Sequence, residues 1–239
     1  MDESKSMSVA KESGLVERVM DAVRNHIAEN GLEPGDVLPS ENAFAEKVGV
    51  SRTIGREAFR ALAALRIIET GNGRKPRVAA PDSSILSIVL DHTVHTRQLS
   101  IQQILDVRRT LELRTASLAA VRRSTKDAKL ILDIAHRMKE AISDPKQVME
   151  LDISLHETIA AASQNPLYAM IVGSFRVITQ QTWHIGWVSR QTEANRLANI
   201  ECHIRLAQAI ADQSAIDAET IMIEHFESAV SVLVRAGIN

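Results

Sequence analysis

Residues 38–80 read LPSENAFAEKVGVSRTIGREAFRALAALRIIETGNGRKPRVAA, and this stretch decides the fold. Ser40 is a good N-cap for a helix through Phe44, Ala45 and Val48, and Gly49 ends it. Ser51 caps the next helix, through Phe59, Leu62 and Leu65. Two short helices joined by a tight glycine-containing turn outline a helix-turn-helix. Behind them, Ile67–Thr70 and Arg77–Ala79 are expected to pair as short strands. Gly71-Asn72-Gly73-Arg74-Lys75-Pro76 would form a basic tip between them, a wing. Upstream, Leu15, Val16, Val19, Val23 and Ile27 recur at helical spacing, and Asn30-Gly31 supplies a stop.

Charge falls where such a unit would use it. The chain of 239 residues has a formal net charge of −2, but location matters more than the total. Between Val50 and Ala80 stand seven basic residues (Arg52, Arg56, Arg60, Arg66, Arg74, Lys75, Arg77) against Glu57 and Glu69. From Pro81 onward acids slightly outnumber bases. In a helix-turn-helix the N-terminal part of the second helix enters the major groove. Here that part is Ser51-Arg52-Thr53-Ile54-Gly55-Arg56. Arg52 and Arg56, at i and i+4, share a face, and an arginine fork matches the two major-groove acceptors of guanine. Ser51 and Thr53 are expected to reach phosphates or base edges. Asn72, Gly73 and Arg74 form a tip that can approach DNA closely. Taken singly, each arginine reads better as a solvated surface charge; the ordered combination favours DNA.

Around this unit, residues 1–13 read as a disordered tail, 14–80 as the DNA-binding domain and 81–84 as a linker. Residues 85–239 carry helical patterns only: about 84–94, 100–123, 125–142, 146–163, 166–188, 190–212 and 214–236. Aromatics are 3% of the chain, so the core must rest on aliphatic residues, which suits packed helices. The expected fold is therefore mainly α, a winged helix-turn-helix followed by an all-α bundle. A single cysteine, Cys202, excludes an internal disulfide and suits a reducing cytoplasm. No apolar run is long enough to span a bilayer, so no membrane partner is expected.

Leu38-Pro39-Ser40-Glu41, Ala45 through Thr53, and Arg56-Glu57-Ala58 closely resemble the winged-helix signature of the GntR family. The helical patterns beyond the wing resemble its FadR-like branch, whose effector domain (the FCD type) is a six- or seven-helix bundle. The resemblance implies that Arg52 and Arg56 read bases and that the wing glycine enters the minor groove. It also implies a homodimer on a palindromic operator, repressing until a ligand binds. The family usually carries an arginine where this chain has Asn42, which bears on one DNA contact.

Eight histidines occur, and most need no special role. Asp152 and His156, at i and i+4, share one helix face and can ligate one ion together. His203 and His225 each fall on a later helix. The metal-binding members of the resembled branch use this order, which implies a site of Asp152, His156, His203 and His225. Such a donor set suits a borderline divalent ion, zinc first, with nickel or manganese as alternatives. Arg108 resembles the family's inward arginine, able to clamp a small carboxylate or sugar acid. The alternative is a surface arginine paired with Asp106 or Glu112. Asn165, before Pro166, reads as a helix cap, and the resemblance allows it an effector contact. Trp183, His184 and Trp187 read as core or dimer packing more readily than as pocket lining.

Two other functions fit parts of this pattern. A metal-dependent hydrolase or lyase would need an acid or base beside the ion, and Glu157 and Glu224 point away from their ligating neighbours. No P-loop, HExxH or nucleophile elbow is present. A constitutive DNA-binding dimer would have no use for buried Asp and His.

Overall fold

The computed structural model describes residues 3–71 and 73–237, with side chains from residue 13 onward. Among these it has eleven helices and one two-stranded sheet. The chain divides into two compact units, Met1–Asp82 and Ser83–Asn239.

The first unit contains α1 (Glu3–Glu29), α2 (Glu41–Val48), α3 (Arg52–Ala64), β1 (Ile68–Gly71) and β2 (Arg74–Val78). The first helix begins at Glu3, where the sequence suggests a tail to residue 13. No proline lies in that stretch to stop it, and its first glycine is Gly14. Both helices of the helix-turn-helix are closed by their own side chains. Ser40 Oγ accepts from Ala43 N, and Ser51 Oγ accepts from Ile54 N at 3.3 Å. Gly49, at φ +74°, takes the left-handed conformation that ends α2.

Val19, Val23, Phe44, Ala58, Phe59, Leu62, Ile68 and Val78 form the core of this unit. The wing departs from the expected boundaries. Its strands pair antiparallel with Ile68 opposite Val78 and Gly71 opposite Arg74, so both run further toward the tip than expected. Gly73 has φ +72°, a conformation that suits a tight hairpin turn. Val37 adds an antiparallel bridge to Arg77, and Leu38 N donates to the Pro76 carbonyl at 2.8 Å. Pro76, lacking an N–H, therefore sits within β2 with its carbonyl paired.

Gly55 sets how closely α2 and α3 approach. A Cβ there would lie 2.8 Å from Ala45 Cβ and 2.9 Å from the Glu41 carbonyl oxygen. Gly55→Ala should therefore destabilise this unit by about 1–3 kcal/mol, although alanine is the better helix former. Chemical denaturation would check this, and an unchanged or raised midpoint would refute the close-packing argument.

The second unit is all helix: α4 (Ser84–His95), α5 (Ile101–Arg122), α6 (Thr125–Glu140), α7 (Pro145–Ala162), α8 (Pro166–Ser174), α9 (Arg176–Ser189), α10 (Glu193–Ala211) and α11 (Ala215–Arg235). The long 166–188 pattern is two helices that break at Phe175, a residue carrying no glycine or proline signal. Capping boxes start α5 (Ser100 with Gln103) and α6 (Ser124 with Asp127). Asp144-Pro145 and Asn165-Pro166 start α7 and α8. The main core joins Ala116, Ala119 and Ala120 of α5 to Ile131, Met138, Leu155, Ile159, Leu206, Ile210, Met222 and Phe226. A smaller cluster gathers Ile104, Phe175 and Ile178. No helix among the described residues is long and apolar enough to cross a membrane.

Candidate DNA-reading surface and metal centre

Ser51, Arg52, Thr53 and Arg56 are exposed at the start of α3, and Ile54, Ala58, Phe59 and Leu62 bury its other side. The helix start thus presents Arg52 and Arg56 outward while its core face is fixed. Gly73 and Arg74 are exposed beside the wing tip; Asn72 lies outside the described residues. Of the other basic residues in this stretch, Arg66 pairs with Asp82 at 3.5 Å and Arg77 donates to the Gly35 carbonyl.

The second unit brings Asp152 and the three histidines together from three helices. α7 supplies Asp152 and His156, α10 supplies His203 and α11 supplies His225, and all four are buried. One ring nitrogen from each histidine lies within 4.8 Å of the others. Asp152 Oδ1 is 2.8 Å from His203 Nε2 and 3.6 Å from His156 Nε2.

The remaining ring positions show how the set is oriented. His156 Nδ1 contacts Glu112 Oε2. His203 Nδ1 is 2.8 Å from the Asn199 carbonyl, which makes Nδ1 the protonated nitrogen and leaves Nε2 as a donor to an ion. Trp183 Nε1 donates to Asp152 Oδ2 at 2.9 Å. His156 Nε2 and His225 Nδ1 are buried and, among the described residues, have no hydrogen-bond partner. Unpaired buried nitrogens are costly, and a shared cation would satisfy both. Three imidazoles and a carboxylate, with outer partners on His156, His203 and Asp152, fit a divalent metal ion.

Electrostatics separate the members of the set. Burial alone would raise the Asp152 carboxyl, but His203 and His156 hold it well below the usual carboxylate range. Burial would likewise raise Glu112, yet Arg108 and His156 keep it lowered. For His156 burial works downward, but the Glu112 charge, with the Asp152 carboxylate nearby, pushes its pKa up to about 9. Burial, with His203 and His156 alongside, drives His225 well below the ordinary histidine value.

A cavity of about 80 Å³ opens beside this cluster. Arg108, Asp152, Trp183, Trp187, Arg190 and His225 contribute polar or aromatic walls, and Leu105, Phe226 and Leu233 apolar ones. Arg108 is buried, which sets aside the surface alternative. It is nevertheless paired as that alternative has it: its Nε donates to Glu112, and a terminal nitrogen donates to Thr179 Oγ1 at 2.8 Å. Trp183 and Trp187 stack with centroids 4.9 Å apart and line the cavity.

Asn165 caps α8 as its place before Pro166 suggests, its Oδ1 accepting from Leu167 N at 3.1 Å. It is not among the residues lining the cavity. Glu112, Arg190, Asn199 and the Asp152 contact of Trp183 are site features that sequence reasoning misses. Only Glu112 has a local signal, four residues after Arg108. The others reach the site through helix packing.

Residues 15–78 match the gntR family of bacterial regulatory proteins, and residues 103–228 match the FCD domain. The chain belongs to the GntR family and joins that family's helix-turn-helix domain to an all-α FCD domain. It is 32% identical over 206 residues to the HTH-type transcriptional regulator LutR of Bacillus subtilis (strain 168), across 84% of this chain and 93% of that protein. To the galactonate operon transcriptional repressor of Escherichia coli (strain K12) it is 28% identical over 209 residues, 85% of this chain and 90% of that one. A solved structure, Streptococcus agalactiae GntR, has the same fold, with a TM-score of 0.64 at 22% identity over 90% of this chain and 99% of that one. The chain is a DNA-binding transcriptional regulator and not a metalloenzyme.

Proposed function

We propose that this regulator is a homodimeric repressor on a palindromic operator, released when a small organic acid binds beside a zinc ion in the helical unit. Arg52 and Arg56 would read bases, Ser51 and Thr53 would hold the backbone, and Asn72, Gly73 and Arg74 would enter the adjacent groove. Asp152, His156, His203 and His225 would hold the ion. A bound zinc would supply a Lewis-acidic centre to which a carboxylate can bind. The chain's own contribution is to orient His156 through Glu112, His203 through the Asn199 carbonyl and Asp152 through Trp183, and to line the neighbouring cavity with guanidinium groups. Control would be a population shift, because an acid binding one bundle arrangement better than another changes operator affinity by that difference.

The observation that carries this reading is the convergence of three buried histidines, with Asp152 against His203 and His156, beside a cavity that Asp152, His225 and two arginines line. Fluorescence anisotropy with DNA from upstream of the protein's own gene tests it. Zinc-loaded protein should bind as a dimer, and a carboxylate from a panel of small and sugar acids should weaken binding about 5- to 150-fold. Equal operator affinity with and without every acid, in zinc-loaded and chelator-treated protein alike, would overturn it.

A further inference from the structure

The two arginines on the cavity wall are not equivalent. Arg108 already has partners: Glu112 takes its Nε, Thr179 takes a terminal nitrogen, and the Phe226 ring lies under its guanidinium at 5.7 Å. Through Glu112 it is tied to His156, so its first role is to position that carboxylate. Arg190, at the end of α9, is half-buried and bonds only the Gly186 carbonyl one turn earlier, at 2.9 Å. Among the described residues no carboxylate lies within ion-pair distance of it, although the charge of Asp152 in the cluster acts on it. Its backbone is held, since Arg196 Nε donates to the Arg190 carbonyl at 3.1 Å while the Arg196 guanidinium lies over Trp187. Gly186 makes room for it, because a Cβ there would come within 3.3 Å of the Arg190 guanidinium.

The cavity is open, since Arg190, Asn199 and His225 also line an adjoining groove. That groove carries Arg235, and Arg205 paired with Glu224 at 2.6 Å, so arginines outnumber the acid on this approach for an anion. Leu105, Ala229 and Leu233 give the cavity apolar walls, and Thr179 and Thr182 also line it.

We propose that Arg190 is the residue that captures the effector's carboxylate. The assignment rests on the metal-and-effector reading of the same cavity. Under it Arg190 is a specificity-determining residue and Arg108 a positioning one.

The chain supplies its own probe, because both of its tryptophans line this cavity. Intrinsic fluorescence of the zinc-loaded, full-length protein is titrated with glycolate, lactate and gluconate, with operator anisotropy followed in parallel. At least one of these acids should saturate the response. Arg190→Gln should weaken that acid by about 10- to 100-fold without loss of zinc affinity. Arg190→Lys, which keeps the charge, should bind it with intermediate affinity and guards against a folding defect. Arg190→Gln binding the acid like the wild type overturns this assignment and leaves the regulator reading standing. If no acid alters either fluorescence or operator affinity, the effector reading itself fails and takes this assignment with it.

Discussion

Replacing Arg52 and Arg56 together by alanine is expected to remove about 2–6 kcal/mol of operator binding, at least about a 30-fold loss. Both side chains are exposed on the α3 surface that Phe59 and Leu62 do not bury, so folding stability should change by no more than about 0.5 kcal/mol. Specificity should fall along with affinity. A bidentate contact to a base is lost only on the correct sequence, whereas a phosphate contact is lost on every sequence. The double variant should therefore bind operator and unrelated DNA almost equally. A loss of two phosphate contacts instead would weaken both and lower the salt-dependence slope by about two. Anisotropy at several salt concentrations separates these cases, and wild-type operator binding by the double variant would remove α3 from the reading surface.

Zinc binding should show an effect of comparable size, set by protons. His156, with a pKa of about 9, must give up the Nε2 proton while keeping Nδ1–H against Glu112. Asp152 is already ionised and His225 already neutral at pH 7, since both are shifted well below their ordinary values. Affinity should therefore rise about tenfold per pH unit from pH 7 and level off near pH 9. In the metal-free protein the same shift has the opposite consequence. A histidine whose pKa is raised by folding contributes stability that is complete below about 6.5 and lost as pH climbs through about 9. Glu112→Gln should weaken zinc about 10- to 100-fold, and His225→Ala more than that. Zinc at about a thousand times its dissociation constant should stabilise by about 4 kcal/mol, or about 10 °C, and a chelator should reverse this. Competition with a chromophoric chelator across pH 7–9 checks the proton term. A flat profile would show that His156 does not exchange a proton for the ion.

How legible each part is in the sequence depends on how local its physics is. The helix-turn-helix can be read because Ser40, Gly49 and Ser51 act within a turn of themselves and the apolar positions repeat along each helix. The extent of the wing cannot, because Arg74 and Lys75 look like loop residues until Ile68 and Val78 fix the register. The bridge from Val37 to Arg77 is a single pairing with no period to detect. In the bundle, Asp152 and His156 are visible as one helical face, and the family resemblance implies that His203 and His225 join them. Their convergence depends on how α7, α10 and α11 pack. Arg190 and Asn199 carry no local mark, because an arginine at a helix end and an asparagine within one are both commonplace. Asn165 is legible as a cap, since that role is explained by its immediate neighbours.

The middle of α5 has one more consequence. Ile104, near its start, belongs to the small apolar cluster with Phe175 and Ile178, and Ala116, Ala119 and Ala120 belong to the main core. Between them Arg108, Glu112 and Thr115 turn polar groups inward. The helix thus bridges two apolar clusters across a seam where its buried side chains are polar. An ion held at that seam would tie the two clusters into one opening unit. With the seam vacated, amide hydrogens around Ile104 and Ile178 should exchange through partial opening well before those around Ala119 and Ile131.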